Sequence, residues 1–281
     1  MILPQIFNMQ FVLGSIIGDI NGSIYEFHNV NTKEFALFDN KMHLTDDSVL
    51  TIATMSALID SYGKDEQTIL ESFKKEYSDA YIKRPRAGYG YRFAKWAKSK
   101  DKKPYNSLGN GSAMRVSPVA YIAKDVDECL YLAKLSSQVT HNHIEGIKGA
   151  QATAAAVYLA LHNATKQEIK RYIADNFYPN IVDMTYSNLK KDWKFDVTCQ
   201  GTVPQAITVF LESTSFEDCV RSAVYLGGDC DTLAAIACSI AGPYYKDKMC
   251  SIETIRKYLT DIDTLTITKF DNLVKTIDKS R

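Results

Sequence analysis

Apolar residues recur at helical spacing over most of the chain. Val49, Ile52, Ala53 and Leu58 follow the i, i+3, i+4 rule, as do Ile147, Ala150, Ala154, Val157 and Leu161. Each set predicts one buried face of a helix. Leu233 to Ala241 is apolar nearly all round and rich in alanine, the pattern of a central helix closely packed by neighbours. In PQAITVFLES, Pro204 suits a first helical turn, with Ala206, Val209 and Phe210 inward. After Lys246, lysines, aspartates and apolar residues mix at helical spacing, which predicts one or two peripheral, solvated helices. Alternating β-branched runs are few, and no Asn-Gly hairpin links two of them. Glycine and proline cluster at 84–90, 104–118 and 201–204. None of these segments is long, Ser-rich or of low complexity, so they read as loops and not as domain linkers. The expectation is an all-α fold, a single compact multi-helical domain over 1–281 with function on its interhelical loops.

Length supports this without sharpening it: 281 residues, 46% of them hydrophobic, can bury one large core. Charge excludes more. Thirty-three Lys and Arg balance thirty-three Asp and Glu, so no global field draws the protein to nucleic acid or an acidic membrane surface. The N-terminus, MILPQIFNMQFVLGSIIGDI, is apolar, but no Lys or Arg precedes Lys33, and acids and amides interrupt it short of a membrane span. It reads as neither signal peptide nor transmembrane helix. Six cysteines stand without a CxxC pair, which suits reduced, packed thiols in a cytoplasmic protein.

Chemistry enters at the loops. LTDDSVLTIAT sets Thr45, Asp46, Asp47 and Ser48 before an amphipathic helix, and GGDCDT sets Asp229, Cys230, Asp231 and Thr232 before the alanine-rich one. Either could be a helix cap and no more, worth about 1 kcal/mol. Together they place excess carboxylates at two apolar helix mouths, where acids repel one another unless protonated, solvated or neutralised by a cation. Oxygen-only donors suit a hard ion such as Mg²⁺ or Mn²⁺ better than zinc. Should the loops converge, they could hold two ions about 3.5–4 Å apart. Spacing alone does not reveal that convergence. In GDINGSIYE, Asp19 and Asn21 between Gly18 and Gly22 suit an ordinary turn, and Glu26 an exposed helix residue. GNGSAMR offers small residues, Gly109 to Ser112, that let backbone amides approach an anion. In THNHIEG, Thr140 and Asn142 suit a capping turn, and His141 a neutral hydrogen-bonding role in preference to metal ligation.

Taken in order, GDxxGSxxE (18–26), TDDS (45–48), GNGSAMRVSP (109–118), THNHIEG (140–146) and GGDCDT (227–232) make the chain resemble the ADP-ribosylglycohydrolase family, typified by dinitrogenase-reductase-activating glycohydrolase. The likeness runs from about residue 12 to about residue 245. It implies a compact all-α fold, a binuclear Mg²⁺ or Mn²⁺ centre, and hydrolysis of the glycosidic bond between ADP-ribose and an acceptor. By the same resemblance, Thr45, Asp46, Asp47, Asp229, Asp231 and Thr232 are metal ligands, and Glu26 lies near the metal shell or the substrate ribose. Gly109, Asn110, Gly111, Ser112 and Met114 would line the ADP-ribose cleft, with His141 beside the distal ribose. Ile144 stands where many relatives carry proline, and Cys230 where serine or threonine is frequent; neither removes an oxygen ligand.

Breaking a ribosyl C1 bond builds oxocarbenium character, which calls for negative charge near the ring, oriented ribose hydroxyls and a base for water. Asp47, then Glu26, are the catalytic candidates for that base. A non-catalytic ADP-ribose-binding module, a glycohydrolase acting on a free small molecule and a metal-dependent phosphohydrolase are the competing readings. The acceptor stays open among protein side chains, small molecules and nucleic-acid bases. Its candidate reader is the loop carrying Arg86, Gly88, Tyr89 and Gly90, which packing alone could also explain. Tyr89 and Tyr105 could stack on adenine, although packing is the better reading of both.

Overall fold

The structure, a computed structural model, describes residues 12–191 and 194–280. The N-terminal reading thus falls, up to residue 11, outside the described residues. Fifteen α-helices follow in order among those described. The first seven are α1 (Gly14–Gly22), α2 (Asp46–Ser61), α3 (Glu66–Lys83), α4 (Tyr91–Lys98), α5 (Gly111–Met114), α6 (Val119–Ile122) and α7 (Val126–Gln138). Next come α8 (Ile144–Leu161), α9 (Lys166–Asn176), α10 (Tyr186–Lys191) and α11 (Cys199–Glu212). The chain closes with α12 (Phe216–Leu226), α13 (Cys230–Tyr245), α14 (Ile252–Ile255) and α15 (Asp261–Ser280). The described residues form no strand, only an isolated antiparallel bridge between Gly109 and Thr198. None of their helices is long and apolar enough to cross a membrane.

The centre is α13, buried from Cys230 to Pro243 and packed by α1, α8, α11 and α12. Its contact with α1 is a close one. Gly14, Gly18 and Gly22 repeat every four residues along one face of α1, and that face lies directly on the α13 backbone. A Cβ on Gly18 would stand 2.2 Å from the Ala234 carbonyl oxygen, and one on Gly22 2.4 Å from Asp231 Cα. Only glycine permits this approach.

Helix α2 buries Val49, Ile52, Ala53 and Leu58, as their spacing predicts. Helix α8 buries Ala150, Ala154, Val157 and Leu161, while Ile147 is only half-buried. Helix α11 departs from expectation. It starts at Cys199, so Pro204 lies inside the helix and 201–204 is no loop. Thr198 caps it by accepting from the Gly201 amide at 3.1 Å, which starts the helix one turn before the proline. The expected inward residues Ala206, Val209 and Phe210 are buried. Beyond Lys246, α14 and α15 form, the latter burying Ile267, Phe270, Val274 and Ile277 on one face. All six cysteines are buried and unpaired.

Candidate active site

The site begins where α1 meets the start of α2. Thr45 is the N-cap of α2, its Oγ1 accepting from the Asp47 amide at 3.3 Å. Asp19 is completely buried on α1. Its carboxylate accepts from Thr45 Oγ1 at 2.6 Å, Thr45 N at 3.0 Å and Ser48 N at 3.1 Å, and from Ser48 Oγ. It therefore caps a neighbouring helix. The reading of Asp19 and Asn21 as turn residues is corrected: both belong to α1, and Asn21 bridges Ile17 O (2.8 Å) and the Phe38 amide (3.0 Å). The sequence signal for this was the four-residue glycine spacing, a mark of helix packing that local propensity reads as a turn.

The second arm is the start of α13. Gly227 and Gly228 take φ of 94° and 75°, turning the chain so that Asp229 becomes the N-cap. Asp229 makes no side-chain capping bond. Its Oδ2 instead accepts from Asn110 Nδ2 at 2.6 Å. The two acidic loops, about 180 residues apart in sequence, meet at Asp47: its Oδ2 accepts from Thr232 Oγ1 at 3.3 Å and lies 3.2 Å from Thr45 Oγ1, whose proton goes to Asp19. Carboxylate oxygens of Asp19, Asp47 and Asp231 lie within 4.8 Å of one another, as do those of Glu26, Asp229 and Asp231. Asp231 belongs to both groups.

No Lys or Arg pairs with any of these acids, or with Asp46, among the described residues. Burial, then the charges of Asp229 and Asp19, pushes Glu26 up to about 7. Burial, then Asp19 and Asp229, pushes Asp46 to about 8. Asp47 and Asp231 rise well above the carboxylate range, mainly through burial, then through the charge of Asp231 on Asp47 and that of Asp229 on Asp231. Asp47 Oδ1 is buried with no hydrogen-bond partner. An open lone pair among uncompensated acids is the electrostatic description of a cation site, and the all-oxygen donor set fits a hard divalent ion. Asp19 is a special case: it accepts three hydrogen bonds on Oδ2 and one on Oδ1, and so orients Thr45 and Ser48. Asp46 lies in neither group of three. It is half-buried on the cleft wall beside them.

Asp47, Asp229 and Asp231 floor a cleft of about 690 Å³, lined also by Glu26, Asp46, Gly109, Asn110, Gly111, Met114 and His141. Ser112 does not reach the cleft. It is completely buried, and its Oγ donates to Gly146 O at 2.7 Å. Ser107 does line it and was not singled out by sequence. The capping assignment in THNHIEG shifts as well: His143 caps α8, its Nδ1 accepting from the Glu145 amide at 3.1 Å. Asn142 accepts from the Asn106 amide at 2.7 Å. Arg86, Gly88 and Gly90 line the mouth, whereas Tyr89 turns away, stacked on Phe93 and edge-on to Tyr81. Tyr105 faces the cleft under Arg92. Cys230 is buried, its thiol 3.7 Å from Gly22 O, and Ile144 is 75% exposed.

A family model described as ADP-ribosylglycohydrolase matches residues 9–266. ADP-ribosylhydrolase ARH3 of Xenopus tropicalis is 26% identical over 84% of this chain and 86% of that protein. The ARH3 of Mus musculus is 27% identical over 83% and 82%. ADP-ribosylarginine hydrolase Tri1 of Pseudomonas putida (strain GB-1) is 28% identical over 50% of this chain and 39% of that protein. A solved structure titled ADP-ribosylglycohydrolase-related protein complex superposes with a TM-score of 0.69 at 20% identity, covering 99% of each chain, and so shares the fold. The family match takes in all five loops that the helices gather around one acidic cleft, and the chain is accordingly an enzyme of the ADP-ribosylglycohydrolase family.

Proposed function

We propose that the enzyme hydrolyses the glycosidic bond joining ADP-ribose to an acceptor, on a protein side chain or a small molecule, and releases ADP-ribose. The observation that carries this reading is the uncompensated acidic floor beneath a cleft walled by the GNGSAMR loop, in a chain of this family. Asp47, Asp231, Asp46 and the Thr45 hydroxyl would hold one divalent ion, Mg²⁺ or Mn²⁺. Asp229, Asp231 and the Thr232 hydroxyl would hold the other, with Glu26 beside them. Such ions, when bound, supply Lewis-acid polarisation of oxygen ligands.

The chain's own groups do the rest. In this reading the acidic floor faces the ribose, where positive charge grows as the C1 bond breaks, and a site that offers negative charge in advance favours the transition state over the ground state. Asn110 holds Asp229 through its amide and is itself oriented by Thr202 Oγ1 at 3.1 Å. The bare Cα positions of Gly109 and Gly111 would leave room for the pyrophosphate oxygens. The geometry favours Glu26 over Asp47 as the base for water. Asp47 is 3% exposed at the floor, while Glu26 is half-buried on the wall, where water reaches it, and its carboxyl titrates near neutrality.

The test is incubation with defined ADP-ribosylated substrates, peptides carrying arginine or serine linkages and small-molecule ADP-ribosides, with Mg²⁺, with Mn²⁺ and with EDTA. Free ADP-ribose formed only with the divalent ion is the expected result. AMP with ribose phosphate would indicate pyrophosphate cleavage, tight ADP-ribose binding without product a binding module, and undiminished turnover in EDTA would count against the metal reading.

A further inference from the structure

Arg115 is completely buried at the back of the cleft and has no carboxylate partner among the described residues. Its guanidinium lies 4.0 Å from the centroid of the Tyr77 ring. A guanidinium only donates, so the direction of each hydrogen bond it makes is fixed. Nη2 donates to Ser136 O at 3.1 Å and to Thr140 Oγ1 at 2.7 Å.

The hydroxyl of Thr140 must then send its own proton elsewhere. Two acceptors are in reach: His141 Nδ1 at 2.7 Å and Ser137 O at 3.4 Å. Ser137 O already accepts from the amides of Thr140 at 3.1 Å and His141 at 2.8 Å, which uses both its lone pairs. The proton therefore goes to Nδ1. A ring nitrogen that accepts carries no hydrogen, and a neutral imidazole then carries it on the other nitrogen. Burial, reinforced by the charges of Arg115 and Arg92, keeps His141 neutral by holding its pKa well below the usual range. Nε2 faces the glycine loop: a Cβ on Gly111 would stand 3.3 Å from it and one on Gly109 3.7 Å. Among the described residues it has no hydrogen-bond partner.

We propose that Arg115 and Thr140 are positioning residues that fix His141 as an Nε2–H donor aimed into the cleft, where it serves an oxygen atom of the bound ligand. The relay runs one way, from guanidinium to hydroxyl to imidazole, and leaves a single donor facing the space that Gly109 and Gly111 keep open. The identity of that ligand rests on the ADP-ribose reading above; the tautomer does not.

The experiment is a long-range ¹H–¹⁵N correlation spectrum of the histidine-labelled full-length protein without ligand, the His141 signals assigned by their loss in His141→Asn. Wild type is expected to show a protonated Nε2 and a bare Nδ1. Thr140→Val, nearly isosteric, removes the donor to Nδ1 and should shift the ring toward the other tautomer. With an ADP-ribosylated peptide its KM should rise on the order of tenfold with kcat little changed, as befits the loss of one hydrogen bond made equally to substrate and transition state. Thr140→Ser should restore both the spectrum and KM. A wild-type His141 protonated on Nδ1, or on both nitrogens, overturns the proposal, and so does a Thr140→Val protein with unchanged spectrum or unchanged KM. The wild-type spectrum decides the tautomer even where a variant does not fold. Failure to release ADP-ribose, with the spectra as expected, would sink the proposed function and leave the relay standing; affinity for free ADP-ribose, weaker in Thr140→Val and restored in Thr140→Ser, then replaces KM.

Discussion

Asp231 and Asp19 are both buried aspartates of the acidic cluster, and their environments give them opposite effects on stability. Asp231 sits among like charges and accepts one hydrogen bond, from the Thr232 amide at 3.0 Å. Asp19 accepts four. In Asp231→Asn the retained carbonyl oxygen keeps the Thr232 bond while a repelling charge disappears. Asp19→Asn instead sets an NH₂ group against donors, and each buried donor left unsatisfied costs about 1–3 kcal/mol. Melting curves in EDTA should show Asp231→Asn at or above the wild-type Tm and Asp19→Asn several degrees below it. Divalent-dependent turnover should fall at least about a hundredfold in Asp231→Asn, whose carboxylate both groups share. A destabilised Asp231→Asn beside an undisturbed Asp19→Asn would reverse these assignments. The residues of the cleft were picked out by the order of the five motifs, because Thr, Asp and Gly before an apolar helix read equally well as a cap. Asp19 was not, since its partners lie on another helix and local pattern carries no trace of them.

At the level of the element, α1 shows how packing overrides propensity. Gly18, Asp19, Asn21 and Gly22 are all poor helix formers, and they are helical because the glycines let α1 lie against the α13 backbone. Gly18→Ala would set a Cβ 2.2 Å from the Ala234 carbonyl oxygen, which forces the helices apart. We expect it to cost about 3 kcal/mol or more and to weaken divalent binding, because the same movement withdraws Asp19 from Thr45. Gly90→Ala is the control, since no atom lies within 4 Å of the added Cβ and its stability should match wild type. Denaturant titrations of both proteins measure this, and equal midpoints would refute it. Helix α11 was read correctly in its buried face and wrongly in its start, for the same reason: a proline suits a first turn, but Thr198 had already capped the helix.

For the whole molecule, the buried acids tie stability to pH and to divalent ions. Folding raises Glu26 to about 7 and Asp46 to about 8, so in this range the native state binds more protons than the unfolded chain. Their contribution to stability without divalent ions is therefore fully present below the ordinary carboxylate range and is lost as pH climbs from about 4 to about 8. Added Mg²⁺ or Mn²⁺ relieves that loss, so its Tm gain should be small at pH 5 and large at pH 8; equal gains at both would contradict this account. The all-α core was legible because helical periodicity is a local signal. The meeting of residues 45–48 with 229–232 was not, because spacing along a chain says nothing of which loops fold back on each other. The glycine-faced crossing has a last consequence, in the order of synthesis. Helix α1 leaves the ribosome more than 200 residues before the groove it fits, and contacts of such sequence separation form late. The nascent protein consequently carries its first aspartates as scattered, solvated side chains, and the acidic cluster assembles only once α13 has been made.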